Sequence, residues 1–164
     1  MGAMRSLNNK KNRLLDQLRV DNPAIQFIAS DHFSWSAETR SICYSSTDEA
    51  TDSFEYSLIH ELAHSLLKHA IFRNDIELIG MERDAWDTAV AHGERYGVTI
   101  PTEHIEKCMD SYRDWLHARS MCPHCHQCGV QVAKTSYRCI FCDSAWRVPE
   151  SRLCRVQRRV RSVS

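Results

Sequence analysis

No apolar run in this 164-residue chain approaches the roughly 20 residues that a helix needs to span a bilayer, so no membrane partner is expected. The first fifteen residues, MGAMRSLNNKKNRLL, contain no apolar stretch of the kind a secretory signal carries. Both absences point to a cytoplasmic protein. There is no internal repeat and no low-complexity tract, which argues against a solenoid or a compositionally biased, disordered chain. Net charge is missing too, because 21 Lys and Arg balance 21 Asp and Glu.

What is present fits a folded protein. The chain is 43% hydrophobic, which suits a globular class, and its length holds one domain of ordinary size plus a small appendage. The zero net charge hides an asymmetry. Residues 1–118 carry 12 Lys and Arg against 19 Asp and Glu; residues 119–164 carry 9 against 2. A basic end of this kind points to a nucleic-acid partner. Of the eight cysteines, Cys43, Cys108, Cys122, Cys125, Cys128, Cys139, Cys142 and Cys154, five fall between residues 122 and 142. In a cytosolic chain, paired C-x-x-C spacings read as metal ligands rather than disulfides.

The patterning predicts an α+β protein. A helix is expected over residues 6–20, capped by Ser6 and stopped at Asn22-Pro23. Three short strands follow at 24–29, 32–36 and 40–45, the last two joined as a hairpin through Ala37, Glu38 and Thr39. Leu58, Ile59, Leu62, Ala63, Leu66, Leu67 and Ala70 recur at helical spacing, predicting a helix from about 52 to 72. Residues 74–96 read as one or two helices ending at Gly97, a good residue just past a helix end, and 102–119 as another helix. The expected organisation is a domain over 1–119, a cysteine module over 120–149 and a basic tail over 150–164.

The stretch HELAH, residues 60–64, lies inside the apolar helical run. Residues i and i+4 share one face of a helix, so His60 and His64 present their imidazoles to one point and can share a Zn²⁺. Glu61 stands where it can reach a water at such a metal without binding the metal itself. Zinc brings the pKa of a coordinated water near 7, and a glutamate can take its proton and deliver it to a leaving amine. A catalytic zinc needs a third protein ligand and an open position. His69 is five residues past His64, about 140° around a continuing helix, and is expected as a surface residue or a support to a ligand. The following helical segment, GMERDAWDTAVAHGERYG, offers Glu82 or, as the competing choice, Asp84; its Trp86 and Ala89 are expected to pack on the HELAH helix.

HELAH followed by a helix that begins MERDAW resembles the ImmA/IrrE branch of the gluzincin metallopeptidases, over about residues 6–119. The resemblance implies a small zincin-like domain in which an E-x-x-A motif on the second helix completes the site. That places the third ligand at Glu82, with Ala85 where the helices cross. Trp86 departs from the small polar residue usual there, which supports a ligating histidine. The resemblance also implies that the strand before the active-site helix, SICYS at residues 41–45, forms a sheet edge to which a substrate peptide adds. Cys43 or Cys108 would then lie near the zinc, where a thiolate could occupy the open position as an inhibitory switch. A donor to the transition state is expected from His92, Tyr96, His104 or Tyr112.

The segment CPHCHQCGVQVAKTSYRCIFC predicts a zinc ribbon, two knuckles each giving two thiolates to a structural zinc. Cys139 and Cys142 form the second pair. Cys125 and Cys128 are preferred for the first, because Gly129 would then follow the second cysteine, where a knuckle favours positive φ; Cys122 is the alternative ligand. Beyond it, Arg147, Arg152, Arg155, Arg158, Arg159 and Arg161 can engage phosphates, with Trp146 to stack on unpaired bases.

The resemblance therefore implies a zinc endopeptidase with one catalytic and one structural Zn²⁺. Relatives of this kind cleave a helix-turn-helix repressor and so switch on stress or anti-phage operons, with single-stranded DNA as the expected stimulus in CBASS-type systems. A SprT/Spartan-like protease acting on DNA–protein crosslinks is a second reading; its third ligand is typically His. A non-catalytic, zinc-stabilised DNA-binding protein is the third, and retention of Glu61 argues against it.

Overall fold

The computed structural model describes residues 2–45, 51–150 and 158–160. The described residues are mixed α/β, with four long helices and two small sheets among them. The chain forms two compact units. One comprises Met1–Ala70 and Arg83–Thr102, the other Ile71–Glu82 and Glu103–Ser164. The division falls inside one continuous helix and again at 102/103. The helix expected with the first domain thus groups with the cysteine module.

In the first unit, α1 runs Gly2–Asp21 and buries Leu14, Leu15 and Leu18. Ser6 lies within it rather than capping it. The helix stops where anticipated: the Asn22 backbone amide and side-chain amide both donate to the Leu18 carbonyl, at 2.9 and 3.0 Å, and Pro23 cannot continue the pattern. Strands β1 (Gln26–Ser30), β2 (Ser34–Ser36) and β3 (Ser41–Ser45) follow. The β2–β3 hairpin forms as expected, with Trp35 opposite Ile42. However, β1 pairs parallel to β3 from the other side, giving the order β1-β3-β2. β3, which holds SICYS, is therefore the central strand with both edges paired. It cannot accept an added peptide strand; the free edges belong to β1 and β2.

Helix α2 spans Thr51–Leu66, with Phe54, Leu58, Ile59, Leu62 and Ala63 buried. It ends six residues before the expected 72. The stop is a Schellman-type turn: Lys68 N–H donates to Ser65 O at 3.1 Å and His69 N–H to His64 O at 3.0 Å, with Lys68 in the left-handed region at φ 56°. No glycine marks the turn in the sequence. Helix α3 spans Asp75–Gly93 and is capped by Asn74, whose Oδ1 accepts from Glu77 N–H at 2.9 Å. A 3₁₀ turn at Glu94–Tyr96 then closes on Gly97, at φ 68°, the expected terminating glycine.

The second unit contains α4 (Thr102–Ser120) and a four-stranded sheet of β4 (Val130–Ala133), β5 (Ser136–Arg138), β6 (Ala145–Arg147) and β7 (Arg159–Val160), in that order. β7 comes from the basic end, so part of that segment is a sheet strand rather than a free tail. α4 joins the unit through Arg119, whose side chain is only 1% exposed. Its guanidinium donates to Tyr137 Oη, Pro149 O and Lys134 O at 3.3, 2.8 and 2.9 Å and faces Asp75 at 3.5 Å.

Candidate metal centres

The buried face of α2 holds two imidazoles among its aliphatic residues. His60 and His64 are 6% and 8% exposed. One turn apart, they direct their Nε2 atoms at each other, 3.0 Å apart. Two ligands on a tetrahedral zinc with Zn–N bonds of 2.0–2.1 Å lie about 3.3 Å apart, so this pair is close to spanning an ion. Glu82 on α3 is the third member. It is buried, and one ligand atom from each of His60, His64 and Glu82 lies within 4.8 Å of the others. A carboxylate and two imidazoles buried together are costly unless a cation joins them. The donor set, two nitrogens and one oxygen, fits a divalent metal with a position left open, and Glu61, next in sequence to His60, is half-buried. Asp84, two residues on, is exposed and drops out as the alternative ligand.

Two neighbours orient the histidines. Trp86, buried one turn beyond Glu82, stacks on His60 with ring centroids 4.0 Å apart and planes 26° from parallel. His69 does not lie around the side of a continuing helix. The Schellman-type turn folds it back, placing its Nδ1 2.9 Å from His64 Nδ1. Its carbonyl accepts from Trp35 Nε1 of β2 at 2.8 Å. Sequence reasoning missed this turn because its left-handed residue is Lys68.

Cys122, Cys125, Cys139 and Cys142 form a second convergent set, also within 4.8 Å. The sulfurs of Cys122 and Cys142 are 3.6 Å apart, and those of Cys125 and Cys139 3.4 Å. The first knuckle is therefore Cys122/Cys125, not Cys125/Cys128. Cys128 is exposed and sits in an extended bridge opposite Met121.

The two knuckles, CPHCHQ and CIFCDS, repeat each other bond for bond. His124 N–H and Phe141 N–H each point to the first sulfur at 3.4 Å. His126 N–H and Asp143 N–H each reach the carbonyl of the first cysteine at 3.1 Å, and the amides of Cys122 and Cys139 each reach the carbonyl five residues on at 2.8 Å. The residue after the second cysteine is left-handed in both, His126 and Asp143 at φ 61°. The rule applied to Gly129 was sound, but it belongs one knuckle position earlier and falls on His and Asp. Gly129 is constrained by space instead: a Cβ there would lie 2.3 Å from Trp146 Cη2 and 2.8 Å from Arg138 O.

Four packed thiols cannot all ionise without a cation. Cys142 is drawn down to about 6, first by the Ser144 hydroxyl and then its amide. Cys125 is pushed up to about 12: the Gln127 amide lowers it, but burial and hydrogen bonds with Cys139, Cys142 and Cys122 outweigh that. The four-sulfur cluster is compatible with a zinc-ribbon-like module.

The remaining expected residues are dispersed. Neither Cys43, half-buried on β3, nor Cys108 belongs to a convergent ligand set among the described residues. Cys108 Sγ lies 3.7 Å from His104 Nε2 on α4. Burial and, secondarily, Lys107 hold the His104 pKa below its ordinary value. His92 sits in the last turn of α3. Tyr96, in the 3₁₀ turn, has its pKa raised mainly by burial, and Tyr112 is half-buried on α4.

Trp146 is 1% exposed and donates to Arg119 O at 2.9 Å, so it cannot stack on bases. The exposed aromatic of the module is Phe141, beside exposed Ile140 at the tip of the second knuckle. Arg147 is exposed on β6, Arg158 donates to Met121 O at 3.2 Å, and Arg159 is in β7. Arg152, Arg155 and Arg161 lie outside the described residues. No helix among the described residues is long and apolar enough to cross a membrane.

No known protein family, curated protein or solved structure matches this chain.

Proposed function

We propose that the protein is a cytoplasmic zinc endopeptidase of the ImmA/IrrE-like gluzincin type. The observation that carries this reading is the convergence of buried His60, His64 and Glu82, with Glu61 next to the first ligand. An acidic third donor supports this reading over a SprT/Spartan-like site, where histidine is typical. His60, His64 and Glu82 would hold a zinc ion, which would supply Lewis acidity and lower the pKa of a water. Glu61 takes a proton on its carboxylate and returns it to the leaving amide nitrogen, so it acts as base and then acid. Trp86 and His69 fix the ring planes of the two histidines. A substrate strand would add along the free edge of β2, whose Trp35 is hydrogen-bonded to His69.

The substrate in this reading is a helix-turn-helix repressor, and cleavage switches on a stress or anti-phage operon of the CBASS type. The zinc-ribbon-like module, its exposed Phe141 and the basic end support single-stranded DNA as the stimulus, through base stacking and phosphate contacts. The test is cleavage of a neighbouring repressor by the zinc-loaded protein, with and without single-stranded DNA. Glu61→Gln should retain zinc and lose cleavage in both conditions. Cleavage at the wild-type rate by that variant would overturn the mechanism.

A further inference from the structure

Among the described residues, four non-glycine residues adopt left-handed backbone: Arg40 at φ 51°, Lys68 at 56°, and His126 and Asp143 at 61°. The last two are demanded by the cysteine knuckles. The first two belong to unrelated turns, one in the β2–β3 hairpin and one at the end of α2. Glycine takes this conformation without steric cost and is the usual occupant. Here both positions carry a long cation, and both line one cavity of about 480 Å³ in the first unit.

The cavity has an apolar floor and a cationic rim. Pro23, Ile25, Trp35 and Leu66 supply the apolar surface, and Arg40 and Lys68 the charge. Neither cation has an ion-pair partner among the described residues. The one carboxylate on the wall, Asp21, is already held by Arg95 at 3.1 Å. The net electrostatic character offered to a ligand is therefore positive. An aliphatic body satisfies the floor and an aromatic one can also use the Trp35 face, while a planar guanidinium and an ammonium both suit an anionic oxygen.

We propose that this cavity binds a small amphipathic anion, an aromatic or aliphatic body carrying a carboxylate or phosphate held by Arg40 and Lys68. The inference does not depend on the peptidase reading, because it uses none of the metal-ligating residues. It does give the cavity a route to them. Trp35 forms the wall, its indole N–H donates to the His69 carbonyl at 2.8 Å, and His69 Nδ1 is 2.9 Å from His64 Nδ1. A ligand that shifts Trp35 shifts the residue that steadies a metal ligand, and by linkage the metal shifts the ligand's affinity by the same factor.

The experiment follows the Trp35 indole N–H resonance of the full-length, zinc-loaded protein, assigned with Trp35→Phe. The probes are 1-naphthyl phosphate, 1-naphthoate, neutral 1-naphthol and inorganic phosphate. The two naphthyl anions should shift the resonance saturably, and the tighter of them identifies the head group. Naphthol and inorganic phosphate should each bind about tenfold more weakly or worse. The double variant R40G/K68G removes both cations and places glycine where the backbone favours it, so its melting temperature should be unchanged or higher. It should lose at least about tenfold in affinity for both anions. Naphthol binding as tightly as the anions, no saturable shift with any probe, or full affinity in R40G/K68G would each overturn the proposal. Zinc affinity measured by chelator competition should change at saturating 1-naphthyl phosphate in the wild type and not in R40G/K68G. An unchanged value would overturn the coupling to His64.

Discussion

His64 and His69 face each other through their Nδ1 atoms at 2.9 Å. A hydrogen bond between two neutral imidazoles needs one protonated and one bare nitrogen. With Nδ1 so engaged, Nε2 of His64 is the atom presented to His60 Nε2. Partners of this kind fix the ring of a metal-ligating histidine, and removing them costs about 10- to 100-fold in metal affinity. His69→Ala should weaken zinc binding at the His60–His64–Glu82 site by that factor, with His69→Asn recovering part of it. Competition against a chromophoric chelator measures both. Wild-type affinity in His69→Ala would show that the contact does not support the ligand.

Cys122 and Cys128 make opposite predictions. Cys122 is fully buried, with its sulfur 3.6 Å from Cys142, whereas Cys128 is exposed and outside the four-sulfur set. Cys122→Ser should remove one equivalent of tightly bound zinc and lower the melting temperature, because binding energy at a structural site is folding energy. Cys128→Ser should leave zinc content and melting temperature at wild-type values. Metal analysis of the purified variants decides; zinc lost from Cys128→Ser but kept in Cys122→Ser would restore the other pairing.

Features set by local period were legible in the sequence. The i, i+4 spacing of His60 and His64 fixed their shared face, and the hairpin turn gave the β2–β3 pair. Glu82 was separable from Asp84 only by motif likeness, since burial is a tertiary property. What stayed hidden depended on unmarked or non-local events. The turn that returns His69 to His64 has lysine where glycine would have announced it. Three cysteines at 122, 125 and 128 allow two C-x-x-C choices, and CPHCHQ and CHQCGV each share only their two cysteines with CIFCDS, so the pairing is decided by the fold and not by the local pattern. The central place of β3 follows from β1 crossing to pair with it, which no local pattern encodes. Trp146, beside the basic end in sequence, suggests a base-stacking surface residue, but it fills the core against Gly129 and Tyr137.

His104 gives a pH prediction. Burial, with Lys107 beside it, depresses its folded-state pKa below 6.5. A depressed pKa means the folded state prefers neutral imidazole. The contribution of this group is fully present above the unfolded value of about 6.5 and is lost as pH falls through the folded-state value. Melting temperature measured from about pH 5 to 8 should therefore fall more steeply on the acid side in the wild type than in His104→Gln. Parallel curves would show that His104 is not protonated preferentially in the unfolded chain.

Arg119 is the residue on which the second unit is built. Its guanidinium satisfies three oxygens and faces Asp75, whose carboxyl burial pushes upward and Arg119, then Gln131, pulls back. Tyr137 Oη also donates to Asp75. Removing the cation leaves a mostly buried carboxylate without its counter-charge and Pro149 O without its donor, while Gln131 still donates to Lys134 O, a loss worth about 3–5 kcal/mol for a buried pair broken on one side. Arg119→Ala should destabilise by that amount in denaturant unfolding. Arg119→Lys should recover only part, because an ammonium cannot reproduce the planar fork that reaches Lys134 O and Pro149 O together. The double variant Arg119→Met, Asp75→Asn should lose less than the two single changes combined, since it removes the orphaned charge along with its partner. Strict additivity in that cycle would mean that Arg119 acts through packing on Trp115, 4.1 Å from its guanidinium, rather than through the buried ion pair.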